Sequence, residues 1–191
     1  PPGIVDTATH TAAQSRVVDA ALELFAVRGV NGTSLQMISD ALGVTKAAVY
    51  HQFPSKEQIV VATAETELAR LDAAVTAAEA EEDRSRALEV LLSQVVDLAV
   101  ERRHVVSTLM HDPVVVRLLA THEPFPRLMA RVSRVLLGAA PTAEARVRAA
   151  MTQIAIGGAV SHPLVADLDD DTLRSELLRM ARRLFGLPVD R

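Results

Sequence analysis

Apolar residues recur along most of the chain at intervals of three and four, and nowhere do they alternate over the length of a strand, so the pattern predicts an all-α protein. The first helix should run from about Ala12 to Arg28, with Val18, Ala21, Leu22 and Phe25 on one face and Gly29 as its stop. Leu35, Ile38, Ala41 and Leu42 mark a short second helix, which a Thr33/Gln36 capping box would open and Gly43 would close. Thr45 offers the next N-cap, and Val49 and Phe53, four apart, can pack a third helix, Thr45 to Gln52, onto the second. Phe53-Pro54-Ser55 breaks that helix. Ser55 with Gln58 then caps a long one, whose register carries Ile59, Leu68, Leu71 and Val75 into the acidic run at Glu79, Glu81, Glu82 and Asp83.

Beyond Arg84 the period stays helical. Leu88, Leu91, Leu92, Val95, Leu98 and Ala99 predict a helix ending near Arg102 and Arg103, and a short piece from Val105 stops before Pro113 and resumes from Val114 to Ala120. Glu123 to Leu137 reads as a helix interrupted near its start by Pro124 and Pro126 and closed by Gly138. Two more follow, about Ala143 to Ser161 and Asp170 to Phe185. This makes about nine helices, divided into an N-terminal three-helix unit over residues 12–57 and a larger helical unit over 58–191.

Two short helices joined by a Gly-containing turn form the helix-turn-helix unit, whose second helix enters the DNA major groove. On the predicted third helix, Lys46 supplies charge, Tyr50 a phenolic donor and His51 a ring N–H, all suited to phosphate. Ala47 and Ala48 have no hydrogen-bonding side chain. Base discrimination would therefore rest on thymine methyl contacts there, on Gln36 and Thr45, and on DNA shape.

Charge modifies this picture. The chain carries a net charge of −4, and from His10 to Glu57 four basic residues face four acidic ones, so a single copy lacks the basic footprint of a tight DNA binder. Dimerisation, which doubles the phosphate contacts, is expected. The absence of cysteine excludes disulfides and thiolate metal sites. No apolar run approaches the roughly 20 residues of a membrane span, and no charged-then-apolar signal opens the chain; a soluble cytoplasmic protein with no membrane partner is the expectation. Pro1 to Thr11 should be an unstructured arm.

Arg16 to Glu57 resembles the N-terminal domain of the TetR family of bacterial transcriptional regulators. The carrying residues are Arg16 to Phe25, Arg28-Gly29, Thr33-Ser34, Ile38-Ser39, Gly43 to Lys46, Val49 to Phe53 and Ser55 to Glu57, in the family's order and spacing, over about a quarter of the chain. The resemblance implies that Thr33, Thr45, Lys46, Tyr50, His51 and Lys56 touch the DNA backbone. Ala48 departs from the Ser or Thr common at its position. The resemblance further implies a repressor released from a palindromic operator by a small molecule.

Catalysis finds no foothold. None of the six histidines forms a zinc-type pair with a nearby Glu, and phosphate loops and nucleophile elbows are absent, so neither an enzyme nor a metal or cofactor is expected. The middle helices instead mix a few polar groups with aliphatics, as small-molecule cavities do; Gln94, Thr108, Met110, His111, Met129 and Ser133 are the candidate lining. From Arg102 to Ala150 eight arginines face three acids, which suits either an anionic ligand or a solvated helix face. The last two helices present Met151, Ile154, Gly158, Leu173, Leu177, Ala181 and Leu184, a set suited to a four-helix homodimer interface. The rival reading is a helical protein-interaction module whose helix-turn-helix does not bind DNA.

Overall fold

Helix α1 (Ala12–Arg28) opens with a reciprocal capping box: Thr11 Oγ1 accepts from Gln14 N, and the Gln14 side chain accepts from Thr11 N. The structure, a computed structural model, describes residues 10–105, 112–139 and 141–189. Among these there are nine α-helices, one short 3-10 turn (Pro163–Val165) and no strand, in agreement with the all-α expectation.

α2 (Leu35–Leu42) starts one residue later than the Thr33/Gln36 box predicts. Ser34 is the N-cap and accepts from Met37 N, because Thr33 is drawn elsewhere: its hydroxyl donates at 2.9 Å to the carbonyl of Gly29, just past the end of α1. Gln36 instead donates to Asp40 Oδ1 at 2.7 Å. Gly43 closes α2 with φ +65°, a left-handed conformation that L side chains resist, and Val44 N donates to Ser39 O across the turn. α3 (Lys46–Gln52) follows, with Thr45 as its N-cap.

α4 (Lys56–Glu79) is capped by Ser55 and packs against α1, then α5 (Arg84–Glu101), α6 (Pro113–Thr121) and α7 (Pro124–Leu137). Pro124 and Pro126 do not interrupt α7. They stand in its first turn, where backbone N–H groups have no intrahelical acceptor and proline removes nothing. α8 (Ala143–Ala159) and α9 (Asp170–Phe185) complete the bundle, α9 lying on α5 and α8.

The buried residues form two clusters that divide within α4. Val18, Leu22, Phe25, Ile38, Val49 and Phe53 join Ile59 and Val60 from its first turns; Leu68, Val75 and Ala78 from its later turns join Leu91, Leu92, Val96, Leu128 and Leu136. Val115 of α6, fully buried, belongs to the first cluster although it comes late in the chain. The larger unit thus reaches the helix-turn-helix core through two elements, α4 and α6. No helix among the described residues is long and apolar enough to cross a membrane.

Candidate nucleic-acid interface and ligand cavity

The packing of Val49 and Phe53 into the first core fixes which face of α3 remains outside. That face carries Thr45, Lys46, Ala47, Ala48, Tyr50 and His51, all exposed, and Gln36 of α2 lies exposed on the neighbouring element. Lys46 Nζ rests 5.7 Å from the centre of the Tyr50 ring, a cation–π distance that holds a phenol and an ammonium together at the surface. Thr45 Oγ1 accepts from Ala48 N, so its oxygen caps the helix while its proton can still be donated.

Two residues expected at the DNA backbone have other work. Thr33 is only 2% exposed and bonded to Gly29 O. Lys56 is half-buried, and its ammonium donates to Val30 O at 3.0 Å and Thr33 O at 3.2 Å, stapling the start of α4 to the loop between α1 and α2. Both organise the turn before α2 from inside. His10 packs edge-on to Phe53 rather than extending away.

In the second unit, a cavity of about 230 Å³ opens between α4, α5, α7 and α8. Its wall includes Leu71, Leu92, Val95, Met129, Val132 and Ile156, with Thr152 and Gln153 as polar members. Of the candidate lining residues, Met129 is in the wall and Ser133 stands directly behind it, accepting from Gln153 Nε2 at 3.1 Å. Gln94 is exposed on α5 and does not line it; Thr108, Met110 and His111 lie outside the described residues. Sequence reasoning missed Leu71, Val95, Val132 and Gln153, since periodicity marks a buried face without distinguishing filled core from cavity wall. A second, wider cleft of about 640 Å³, where α6 meets the start of α4, is lined by Lys56, Glu57 and Arg117 and carries both signs of charge.

The basic stretch from Arg102 to Ala150 does not supply the cavity with positive charge. Arg102 pairs with Glu67 at 2.7 Å, Arg127 with Glu123, and Arg103 with Asp170. Arg131, 5% exposed, turns away to α4, where it bonds Asp72, Thr76 and Glu79. Its hydrogen bonds hold the Glu79 carboxyl below the ordinary glutamate range and raise its own guanidinium.

The expected dimer residues divide between two settings. Met151, Ile154, Gly158 and Leu184 are exposed, alongside Val147 and Met180. Leu173 and Ala181 are buried in the subunit's own core, and Leu177 packs half-buried against it, because α9 turns that stripe onto α5 and α8. Leu173 and Ala181 are therefore corrected from interface to core.

An exposed helix-turn-helix joined by one long helix to a hollow helical bundle defines the class: a two-part all-helical protein with a candidate nucleic-acid surface in one part and an apolar-walled cavity in the other. Residues 17–63 match the family described as bacterial regulatory proteins, tetR family, and the N-terminal unit of this chain is a tetR-family domain. Over 60 residues, 31% of this chain, it is 38% identical to the HTH-type transcriptional repressor KstR2 of Rhodococcus jostii RHA1; the aligned stretch spans 29% of that relative's length. The fold match extends further. The fatty acid degradation regulator FadR of Bacillus halodurans superimposes with a TM-score of 0.72 at 16% identity, covering 94% of this chain and 98% of its own. The ketosteroid transcriptional regulator KstR2 of Mycobacterium tuberculosis gives 0.68 at 18% identity, covering 94% and 97%.

Proposed function

We propose that this protein is a ligand-responsive transcriptional regulator that binds a palindromic DNA operator as a homodimer and represses until a small apolar molecule releases it. The observation that carries the reading is the continuity of α4: its first turns are core of the helix-turn-helix unit, and sixteen residues after Lys56 its Asp72 is held by α7 beside the cavity wall residue Leu71. A shift of α7 on ligand entry would move α4 and with it α3. Two recognition helices must stand about 34 Å apart, or a multiple, to enter successive major grooves, so a small rotation of each lever removes the fit. The shift in equilibrium is bounded by the effector's preference for one state over the other.

Dimerisation is supported by Val147, Met151 and Ile154 on α8 and Met180 and Leu184 on α9, a stripe at helical spacing that a lone subunit leaves in water; Ile154 is 71% exposed. The names of two relatives, a fatty acid degradation regulator and a ketosteroid regulator, suit an apolar effector, as does an aliphatic cavity.

The test is selection of bound duplexes from a random pool, followed by anisotropy titration of the winner across about 50 to 300 mM salt. Recovery of an inverted repeat, with affinity falling steeply as salt rises, is the expected result. Recovery of no enriched duplex, or salt-independent binding, would overturn the reading in favour of a protein-docking helix-turn-helix.

A further inference from the structure

The chemistry of the cavity wall narrows the effector further than its apolarity does. Among the described residues none of the lining side chains is ionisable. Arg131 lies on α7 between the wall residues Met129 and Val132, yet its guanidinium is committed to Asp72, Thr76 and Glu79 on α4. Arg134 also reaches Glu79, at 3.8 Å, so two arginines balance two carboxylates and that corner has no free positive charge to offer a ligand. An anionic group entering the cavity would lose its water and gain no cation from the described wall, which disfavours it strongly.

One polar device remains. Ser133 Oγ donates to Met129 O at 2.8 Å, so its single proton is committed and it can only accept from Gln153. That fixes the orientation of the Gln153 amide, with Nε2 toward Ser133 at 3.1 Å. Oε1 and the second amide hydrogen are left, among the described residues, with no protein partner on a side chain that lines the cavity. Thr152 does not compete, because its hydroxyl donates to Arg148 O within its own helix.

We infer that the effector is an uncharged, compact, mainly aliphatic molecule carrying one hydroxyl or carbonyl, and that Gln153, oriented by Ser133, is the residue that recognises this group. This rests on the reading of the cavity as the effector site. Size follows from volume: a cavity of ~150 Å³ takes one benzene, so this one, about half as large again, takes roughly nine or ten carbons. The ligand's polar atom exchanges water for the Gln153 amide, and its chain displaces nothing charged.

The full chain is titrated calorimetrically with 1-nonanol, 2-nonanone and, at pH 8, nonanoate, and the same titrations are repeated on Gln153→Met and Ser133→Ala. The alcohol and the ketone should bind, with nonanoate at least about 100-fold weaker. Gln153→Met should weaken the two neutral ligands roughly three- to tenfold, about the worth of one hydrogen bond. Ser133→Ala should weaken them less, since the amide survives but is no longer held in one orientation. Melting temperatures of the ligand-free variants close to the parent's establish that folding is not the cause. Nonanoate binding as tightly as nonanol overturns the inference and leaves the cavity as an effector site. Unchanged affinity in Gln153→Met removes that residue's role. Failure of all three probes overturns the cavity reading as well, while the duplex selection described above tests DNA binding separately.

Discussion

Arg131 of α7 and Asp72 of α4 form an ion pair buried on both sides, 5% and 6% exposed, and it joins α4 to the helix that carries the cavity-wall residues Met129 and Val132. The same guanidinium reaches Glu79 at 2.7 Å and Thr76 at 2.9 Å, so one arginine spans two turns of α4. Nearer the middle of α4, Glu65 meets His122 at 3.0 Å and Glu67 meets Arg102 at 2.7 Å. Ties of this kind are rigid only while every partner is present.

Arg131→Met should therefore cost about 3 to 5 kcal/mol of stability, because it leaves Asp72 buried without a counter-charge. Asp72→Asn added to it should recover part of the loss. Urea unfolding of the single and double variants checks this; a single variant within about 0.5 kcal/mol of the parent would show that water reaches the site.

Acid should loosen the same joint. The Glu79 pKa is lowered, chiefly by its hydrogen bonds from Arg131, so its contribution is fully present above the unfolded value of about 4.3 and is lost as pH falls through the lower folded value. Measured from pH 6 down to pH 3, the stability gap between the parent and Glu79→Gln should shrink toward zero. A gap that stayed constant would mean the carboxylate is not the group responsible.

At the DNA face, Lys46→Ala and Tyr50→Phe should weaken binding of every duplex by similar factors, and Lys46→Ala should make the salt slope shallower by about one for each phosphate no longer neutralised. Lys56→Met should behave differently. It removes the staple to Val30 and Thr33, lowering stability by about 2 kcal/mol, while the salt slope of the remaining folded protein holds. Thermal melts and salt titrations run together separate the two outcomes. A reduced salt slope in Lys56→Met would return that lysine to the DNA surface.

Ile154→Asp places a charge in the centre of the exposed stripe of α8 and should convert a sedimenting dimer to monomer with loss of operator affinity. Leu173→Asp, directed at the subunit's own core, should instead unfold the bundle. A dimer that persists in Ile154→Asp would move the interface to another face.

Local rules decided the helices and their ends. The three- and four-residue period, Gly29 and Gly43 as stops and Thr45 as a cap act between near neighbours, which is why the helix-turn-helix was legible from its letters, as was the exposure of Lys46, Tyr50 and His51. Where two local partners compete, the letters were insufficient: Thr33 has a cap position available by pattern, but the carbonyl of Gly29 is brought to it by the turn.

Long-range packing decided the rest. Asp72 and Arg131, 59 residues apart, read individually as ordinary surface charges and become a buried joint only when α7 crosses α4. Leu173 and Ile154 both belong to apolar stripes; the placement of α9 on α5 buries Leu173, while the side of α8 that carries Ile154 meets no other described helix of the subunit and stays in water. Val115 enters the first core from a late helix, and Gln153 enters a cavity wall that four separate helices enclose. Periodicity tells each helix which face is apolar, but burial, emptiness and charge pairing depend on which other surface arrives there, and that is set by the folded chain as a whole.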